Sequence, residues 1–366
     1  MKPSSALALA TDHARPLQAG AGIHVLASLS EVLAERAPGP MESKLSAIRA
    51  FLADDLASVE RDLSDIELRP TPLHASAGHL IGLGGKRIRP MCVALAARVG
   101  RGFGPAAREL AVAAELVHNA TLLHDDVVDV GDLRRGAPTA RVLYGNAASV
   151  YAGDWLLVDA LMRVRRAGMS DVLDRALGVL AEMLEAEALQ LKARGRADAT
   201  MDHYMAVVRG KTASLFRWAL YAGGRAGELD EGACARLERF GEAMGVAFQV
   251  VDDALDAEGD PSVTGKEVLV DLREGKVTYP LMVALERDRE LRALLSEHLE
   301  RGAASLDPRT AERALAAIHK AGGAAEARAL AKRLVVGALE DISTLPDKPE
   351  TRALAAVAQA MVERRS

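Results

Sequence analysis

Two short stretches place aspartates at a spacing that would let them share a positive ion. The first is His124-Asp125-Asp126-Val127-Val128-Asp129, and the second is Phe248-Gln249-Val250-Val251-Asp252-Asp253-Ala254-Leu255-Asp256. On a helix, Asp125 and Asp129 fall on one face a turn apart, as do Asp252 and Asp256. Like charges at that spacing repel, so something positive is expected between them. Oxygen-only ligands suit Mg²⁺, which takes one or two carboxylates and leaves its remaining positions to water and phosphate. A single cluster would serve equally well as a solvated acidic face. Here each cluster follows an apolar helical run, Ala113 to Leu123 in one case and Met244 to Val251 in the other. Two such helices facing each other would crowd carboxylates around one cavity, which is costly without compensating cations.

Candidate cations are at hand. Gly84-Gly85-Lys86-Arg87-Ile88-Arg89-Pro90 sets a Gly-rich turn and three cations at a helix start, a good anion site. Arg134 and Arg135 follow the first cluster, while Lys211, Lys266 and Lys276 sit beside Gly or Thr in the second half of the chain. Arg163, Arg165 and Arg166 read as a solvated face. Gly210-Lys211-Thr212 is not a P-loop, because Met205 stands where that motif needs its first Gly.

The elements that must carry these residues are helical. Of 366 residues, 49% are hydrophobic and only 3% aromatic, with Ala and Leu dominating. Ala and straight-chain residues lose little freedom in a helix, and no alternating β-branched run marks a strand. Periodicity predicts an all-α chain with helices near 43–66, 86–99, 105–130, 147–167, 170–194, 202–226, 230–259, 275–298, 308–321, 323–344 and 348–364. Residues 1–40, ending in Ala37-Pro38-Gly39-Pro40, read as a flexible extension before one helical domain over 41–366, with Met41 an alternative start. Cys92 and Cys234 sit in apolar patterns and form neither a disulfide framework nor a zinc site. A formal charge of −5 argues against nucleic-acid binding. With neither a membrane span nor a signal-peptide core, a cytoplasmic location is the default expectation.

The segments GGKRIRP, LLHDDVVDVGDLRRGAPT, GDWLL, GKTASLF, FQVVDDALDAEGD and GKEVLVDLREGKVTYP occur in the order seen in trans-polyprenyl diphosphate synthases, and from about residue 80 to 285 the chain resembles that family. The resemblance implies the isoprenoid synthase helical bundle around a central cavity, a homodimer, and Mg²⁺, three ions once substrate is bound. It implies that Asp125, Asp129 and Asp252, with Asp256 through water, hold the metal. Lys86, Arg89, His118 and Arg135 match positions that bind isopentenyl diphosphate. Arg134, Lys211, Lys266 and Lys276 match those gripping the allylic diphosphate, with Thr212 and Gln249 near the developing cation. The implied reaction adds isopentenyl diphosphate to the ionised allylic diphosphate and then loses a proton, giving a linear product suited to delivery to a membrane. One departure stands out: Leu269 replaces the usual Gly three residues after Lys266, and Leu lacks the freedom of Gly at positive φ.

Product length turns on the residues before Asp125. Ala120 and Thr121 stand where shorter-chain relatives place a bulky floor, and no aromatic residue lies between Asp125 and Ala113, about 18 Å at 1.5 Å per residue. A product around the octaprenyl class is therefore expected, unless Met162 or Met183 supplies a floor. Geranylgeranyl or farnesyl diphosphate synthesis is the nearest alternative. A terpene cyclase and a non-catalytic partner subunit are more distant ones.

Overall fold

Residues 41–258, 269–300 and 307–364 are described by the structure, a computed structural model; the proposed extension at 1–40 lies outside them. Chain segments rich in Ala and Leu bury apolar surface as helices, with the backbone satisfied internally. They form α1 (Met41–Phe51), α2 (Ala53–Ser64), α3 (Pro72–Gly82), α4 (Ile88–Val99), α5 (Pro105–Val128), α6 (Ala140–Tyr144), α7 (Asn146–Arg166), α8 (Ser170–Ala193) and α9 (Met201–Val208). After one π turn (Arg209–Ala213) come α10 (Ser214–Ala226), α11 (Glu231–Glu258), α12 (Val270–Arg273), α13 (Tyr279–Arg287), α14 (Arg289–Glu300), α15 (Pro308–Ala321), α16 (Gly323–Ser343) and α17 (Pro349–Glu363).

Several boundaries differ from the periodicity reading, each for a local reason. The helix expected at 43–66 breaks at Leu52, whose backbone (φ −100°, ψ 17°) is not helical. Helix α3 was not anticipated, although Thr71 accepts from the His74 N–H and Pro72 opens the first turn, a readable N-terminal signature. Strands β1 (Leu133–Arg134) and β2 (Ala137–Pro138) form a small antiparallel hairpin turning through Arg135 and Gly136, both at positive φ. The helix expected at 275–298 divides at Asp288, whose carboxylate accepts from the Leu291 N–H.

Helices α4, α10 and much of α5 and α11 are buried nearly all round, which explains their near-continuous apolar sequence. Helix α5 packs along α7, α10 lies between α4 and α11, and α16 runs along the other side of α11. A second core cluster gathers Leu272, Leu281, Leu285, Leu291, Leu295 and Ile318 beyond the end of α11. Cys92 and Cys234 are free and buried, and burial pushes their thiols up to about 12 and about 11. Among the described residues, no helix is long and apolar enough to cross a membrane.

The approach of α11 to the π turn is set by Gly245. A Cβ there would lie 2.5 Å from Ala213 Cα and 2.9 Å from Ala213 Cβ. Gly245→Ala gains about 1 kcal/mol of helix propensity but overpacks a dense core at a typical cost of about 1–3 kcal/mol. The expected result is a lower urea midpoint. An unchanged or raised midpoint would mean that the helices part without strain.

Candidate active site

Both aspartate clusters lie at the C-terminal ends of long helices, α5 and α11, where the helix dipole is already negative. Cations therefore converge on them. Lys211 Nζ lies 3.6 Å from Asp125 Oδ1, also pairs with Glu187, and donates to Gln190 Oε1 at 3.1 Å. Burial raises the Asp125 pKa despite that lysine. Lys276 donates to Asp129 Oδ2 at 2.7 Å and to Glu274 at 2.6 Å, and Arg194 pairs with the other Asp129 oxygen. Burial acts upward on Asp129, but Lys276, then Lys211 and Arg194, hold it below the usual carboxylate value. Asp252 pairs with Arg364, which also stacks 4.2 Å from the centre of the Phe248 ring; burial still raises the Asp252 pKa.

The middle aspartate of each cluster turns inward. Asp126 is 3% exposed and accepts from Arg134 Nε at 2.8 Å, its other oxygen having no partner. Arg134 is thus held against Asp126 in this structure. Asp253 is 2% exposed, accepts from Tyr204 Oη at 2.6 Å and Gln249 Nε2 at 2.9 Å, and is pushed up to about 7 by burial. Gln249 in turn accepts from Thr212 Oγ1 at 2.8 Å. Asp256 differs from the metal-facing expectation: its oxygens accept from the Val270 and Asp271 N–H groups at 3.0 and 3.3 Å and so cap α12.

The π turn delivers the two central residues. The Ser214 N–H reaches back five residues to Arg209 O, and such insertions recur at functional sites. Lys211 thereby meets α8 and Thr212 meets α11, the two sides of a cavity of about 130 Å³ lined by Gln190, Arg194, Lys211, Thr212, Gln249 and Lys276, among others.

A second cationic group lies at the start of α4. Lys86 is exposed, and its carbonyl accepts from Arg49 at 2.7 Å. Arg87, at φ 51°, instead turns into the core to pair with Glu60 and Glu115 at 2.7 and 2.6 Å. Arg89 sits 4.6 Å from the centre of the Phe216 ring, with its Nε lacking a partner. The Arg135 guanidinium comes so close to Gly85 that a Cβ there would meet it at 3.2 Å. His118, half-buried on α5, is driven well below 6.5 by burial and then by Arg89, Arg135, Arg134 and Arg87. Arg89, His118 and Arg135 thus come together near Gly85-Lys86. Lys266 lies outside the described residues.

Residues 70–318 match the polyprenyl synthetase family. The chain belongs to that family. It is 36% identical to heptaprenyl diphosphate synthase component 2 of Geobacillus stearothermophilus, over 83% of this chain and 93% of that protein. It is 35% identical to octaprenyl diphosphate synthase of Escherichia coli K12, over 87% and 99%. The crystal structure of a decaprenyl diphosphate synthase from Rhodobacter capsulatus superposes with a TM-score of 0.82 at 36% identity, covering 88% of this chain and 99% of that one. The fold is therefore the all-α isoprenoid synthase bundle, and the protein is a prenyltransferase.

A divalent metal, general in this family, fits the donors. They are hard carboxylate oxygens at two dipole-negative helix ends, each already drawing a cation to itself. Among the described residues no group of three or more such ligands is close enough to hold an ion by itself. One or two carboxylates completed by water and diphosphate oxygens match that arrangement.

Arg194, Arg364, Glu187 and Tyr204 were not singled out from the sequence. Arg194 and Glu187 reach the first cluster from α8 and its end, Tyr204 reaches the second from α9 and Arg364 from the end of α17, so no local spacing marks them. Leu269 takes the positive φ that Gly would supply (φ 56°, ψ 38°). Its side chain is 3% exposed in the second core cluster. Burial of about 1.5–3 kcal/mol offsets a backbone cost of roughly 1–2 kcal/mol.

The His118 environment sets a pH dependence. Its folded pKa lies below the unfolded value of 6.5, so below about pH 6.5 the unfolded chain takes up a proton that the folded one does not. Stability from this group is therefore full above 6.5 and declines as pH falls through it. Between about pH 6.5 and about pH 5.5 the wild type should lose up to roughly 1 kcal/mol more than His118→Gln. Parallel thermal melts of the two proteins at the two pH values measure this, and equal losses would show that His118 titrates normally.

Proposed function

We propose that the enzyme condenses isopentenyl diphosphate with an allylic diphosphate to make a linear polyprenyl diphosphate around the octaprenyl class. The observation behind this is the separation of the cations into two groups. Lys211 and Lys276 sit with the first aspartate cluster, whereas Lys86, Arg89 and Arg135 gather around neutral His118 at the start of α4. Two diphosphates need two such places. A terpene cyclase, which ionises one diphosphate, needs only the first.

In this reading Asp125, Asp129 and Asp252 hold Mg²⁺ with the allylic diphosphate, Asp256 contributing through water once released from its cap. The metal supplies charge that stabilises the leaving diphosphate as the allylic C–O bond breaks. Lys211, Lys276, Lys266 and Arg134 grip that same diphosphate. Thr212 donates to the Gln249 carbonyl oxygen, which leaves the Thr212 lone pairs to face the developing cation. Gln249 is kept in that orientation because its amide nitrogen donates to Asp253. Lys86, Arg89 and Arg135 hold isopentenyl diphosphate, with neutral His118 as a hydrogen-bonding partner. The surrounding apolar helices keep water from the cation.

The relatives' names span several chain lengths, so length is argued from the residues. Ala120 is fully buried and small, as are Ala113 and Ala114 on the same helix. Met162 is 52% exposed on the outer side of α7, so it does not provide an internal floor in this chain, whereas Met183 is buried in the core. Products made from farnesyl and isopentenyl diphosphates should be long by mass spectrometry, and Ala120→Phe should shorten them. A dominant C15 or C20 wild-type product would sink the long-chain reading.

The reading includes a homodimer in the cytoplasm. Tyr151, Val158 and Met162 on α7, and Leu177, Leu184 and Leu191 at seven-residue spacing on α8, are 49–72% exposed. Such apolar stripes on neighbouring helices are suited to a second copy of the same surface. Leu184→Glu should shift the protein to monomer in sedimentation analysis; an unchanged distribution places any interface elsewhere. Product formation by the purified chain alone tests the rival of a heteromeric partner subunit.

A further inference from the structure

Arg194 lies outside every motif that marks the site, yet it lines the cavity beside Lys211 and Lys276. It is the C-cap of α8, where a cation complements the helix dipole. Its guanidinium pairs with Asp129, and Nη1 donates to Val128 O at 3.3 Å. The Nε–H is buried with no acceptor, although an arginine fork is shaped to serve paired oxygens. The surroundings fix where its side chain starts. The Gly195 N–H donates to Gly275 O at 2.9 Å. Gly275 sits at φ +77°, and a Cβ there would come within 3.1 Å of Arg194 Cγ. The backbone and stem of Arg194 are thereby fixed between the end of α8 and the segment that carries Lys276, and its guanidinium reaches beyond them to Asp129. The Asp129 oxygen it engages belongs to a carboxylate assigned to metal binding, and a positive guanidinium on that oxygen repels a second cation there.

We propose that Arg194 is a mobile counter-ion of the allylic-diphosphate site. With the cavity free of diphosphate it competes with a divalent ion for Asp129. When diphosphate enters, its fork turns to the diphosphate oxygens, its unmet Nε–H gains an acceptor, and Asp129 is released. The inference rests on the reading under Proposed function, and it makes metal binding weak alone and strong with diphosphate.

The test is calorimetric titration of the full chain with Mn²⁺, and with inorganic diphosphate in the presence of Mn²⁺, for wild type, Arg194→Gln and Arg194→Lys. Arg194→Gln should bind Mn²⁺ alone about tenfold more tightly, since a charge competing for the carboxylate is gone. It should bind diphosphate about tenfold more weakly, since a charge-assisted bidentate contact is lost. Arg194→Lys keeps the charge and loses the fork, so its Mn²⁺ affinity should match wild type while diphosphate binding weakens. Weaker Mn²⁺ binding by Arg194→Gln would overturn the proposal, because Arg194 would then position Asp129 rather than compete for it. Wild-type behaviour of both variants would overturn it as well. Should Arg194→Gln fail to fold, Arg194→Lys decides, and undiminished diphosphate binding rejects the proposal. Product formation by wild type is measured in parallel. Its absence counts against the enzymatic reading, while the two titrations still judge Arg194.

Discussion

Carboxylates gathered at the C-terminal ends of two buried helices are the constraint on which the rest of this structure depends. Helix dipole, like-charge repulsion and desolvation all act against charge at Asp125, Asp129 and Asp252. The fold answers with its own cations. Lys211, Lys276, Arg194 and Arg364 come from four separate elements to meet them. The same cations are suited to a diphosphate, so one electrostatic demand shapes both the resting site and the proposed substrate-bound one.

The middle aspartates show a division of labour inside each cluster. Asp126 anchors Arg134, and Asp253 anchors Gln249 and Tyr204. Their neighbours Asp125, Asp129, Asp252 and Asp256 stay partly exposed. An adjacent pair on a helix points in different directions, so one residue can serve the core and the other the site.

Backbone irregularities complete the arrangement. The π turn presents Lys211 and Thr212 to different helices, the positive-φ hairpin turn places Arg135 beside Gly85, and left-handed Leu269 starts α12 under the Asp256 carboxylate. Each has a local energetic cost, and each is held by tertiary packing such as the close contact of Gly245 with Ala213.

What the sequence determined alone was whatever depends on local periodicity and ordered motifs. The all-α class and the placing of both aspartate clusters on helices were legible, because helix spacing and motif order are properties of the linear chain. Helix α3 was legible in principle through Thr71-Pro72. Tertiary structure alone decided which charges meet. Arg194 lies 65 positions from Asp129 and Arg364 lies 112 from Asp252, separations at which no spacing rule operates. It also decided that Arg87 pairs with Glu60 and Glu115 while Arg89 stacks on Phe216, and that Asp256 caps a helix. Leu269 could keep a glycine-like backbone because a hydrophobic cluster from α12 to α15 receives its side chain. Such outcomes depend on which surfaces pack together, and packing is a property of the folded chain rather than of any segment within it.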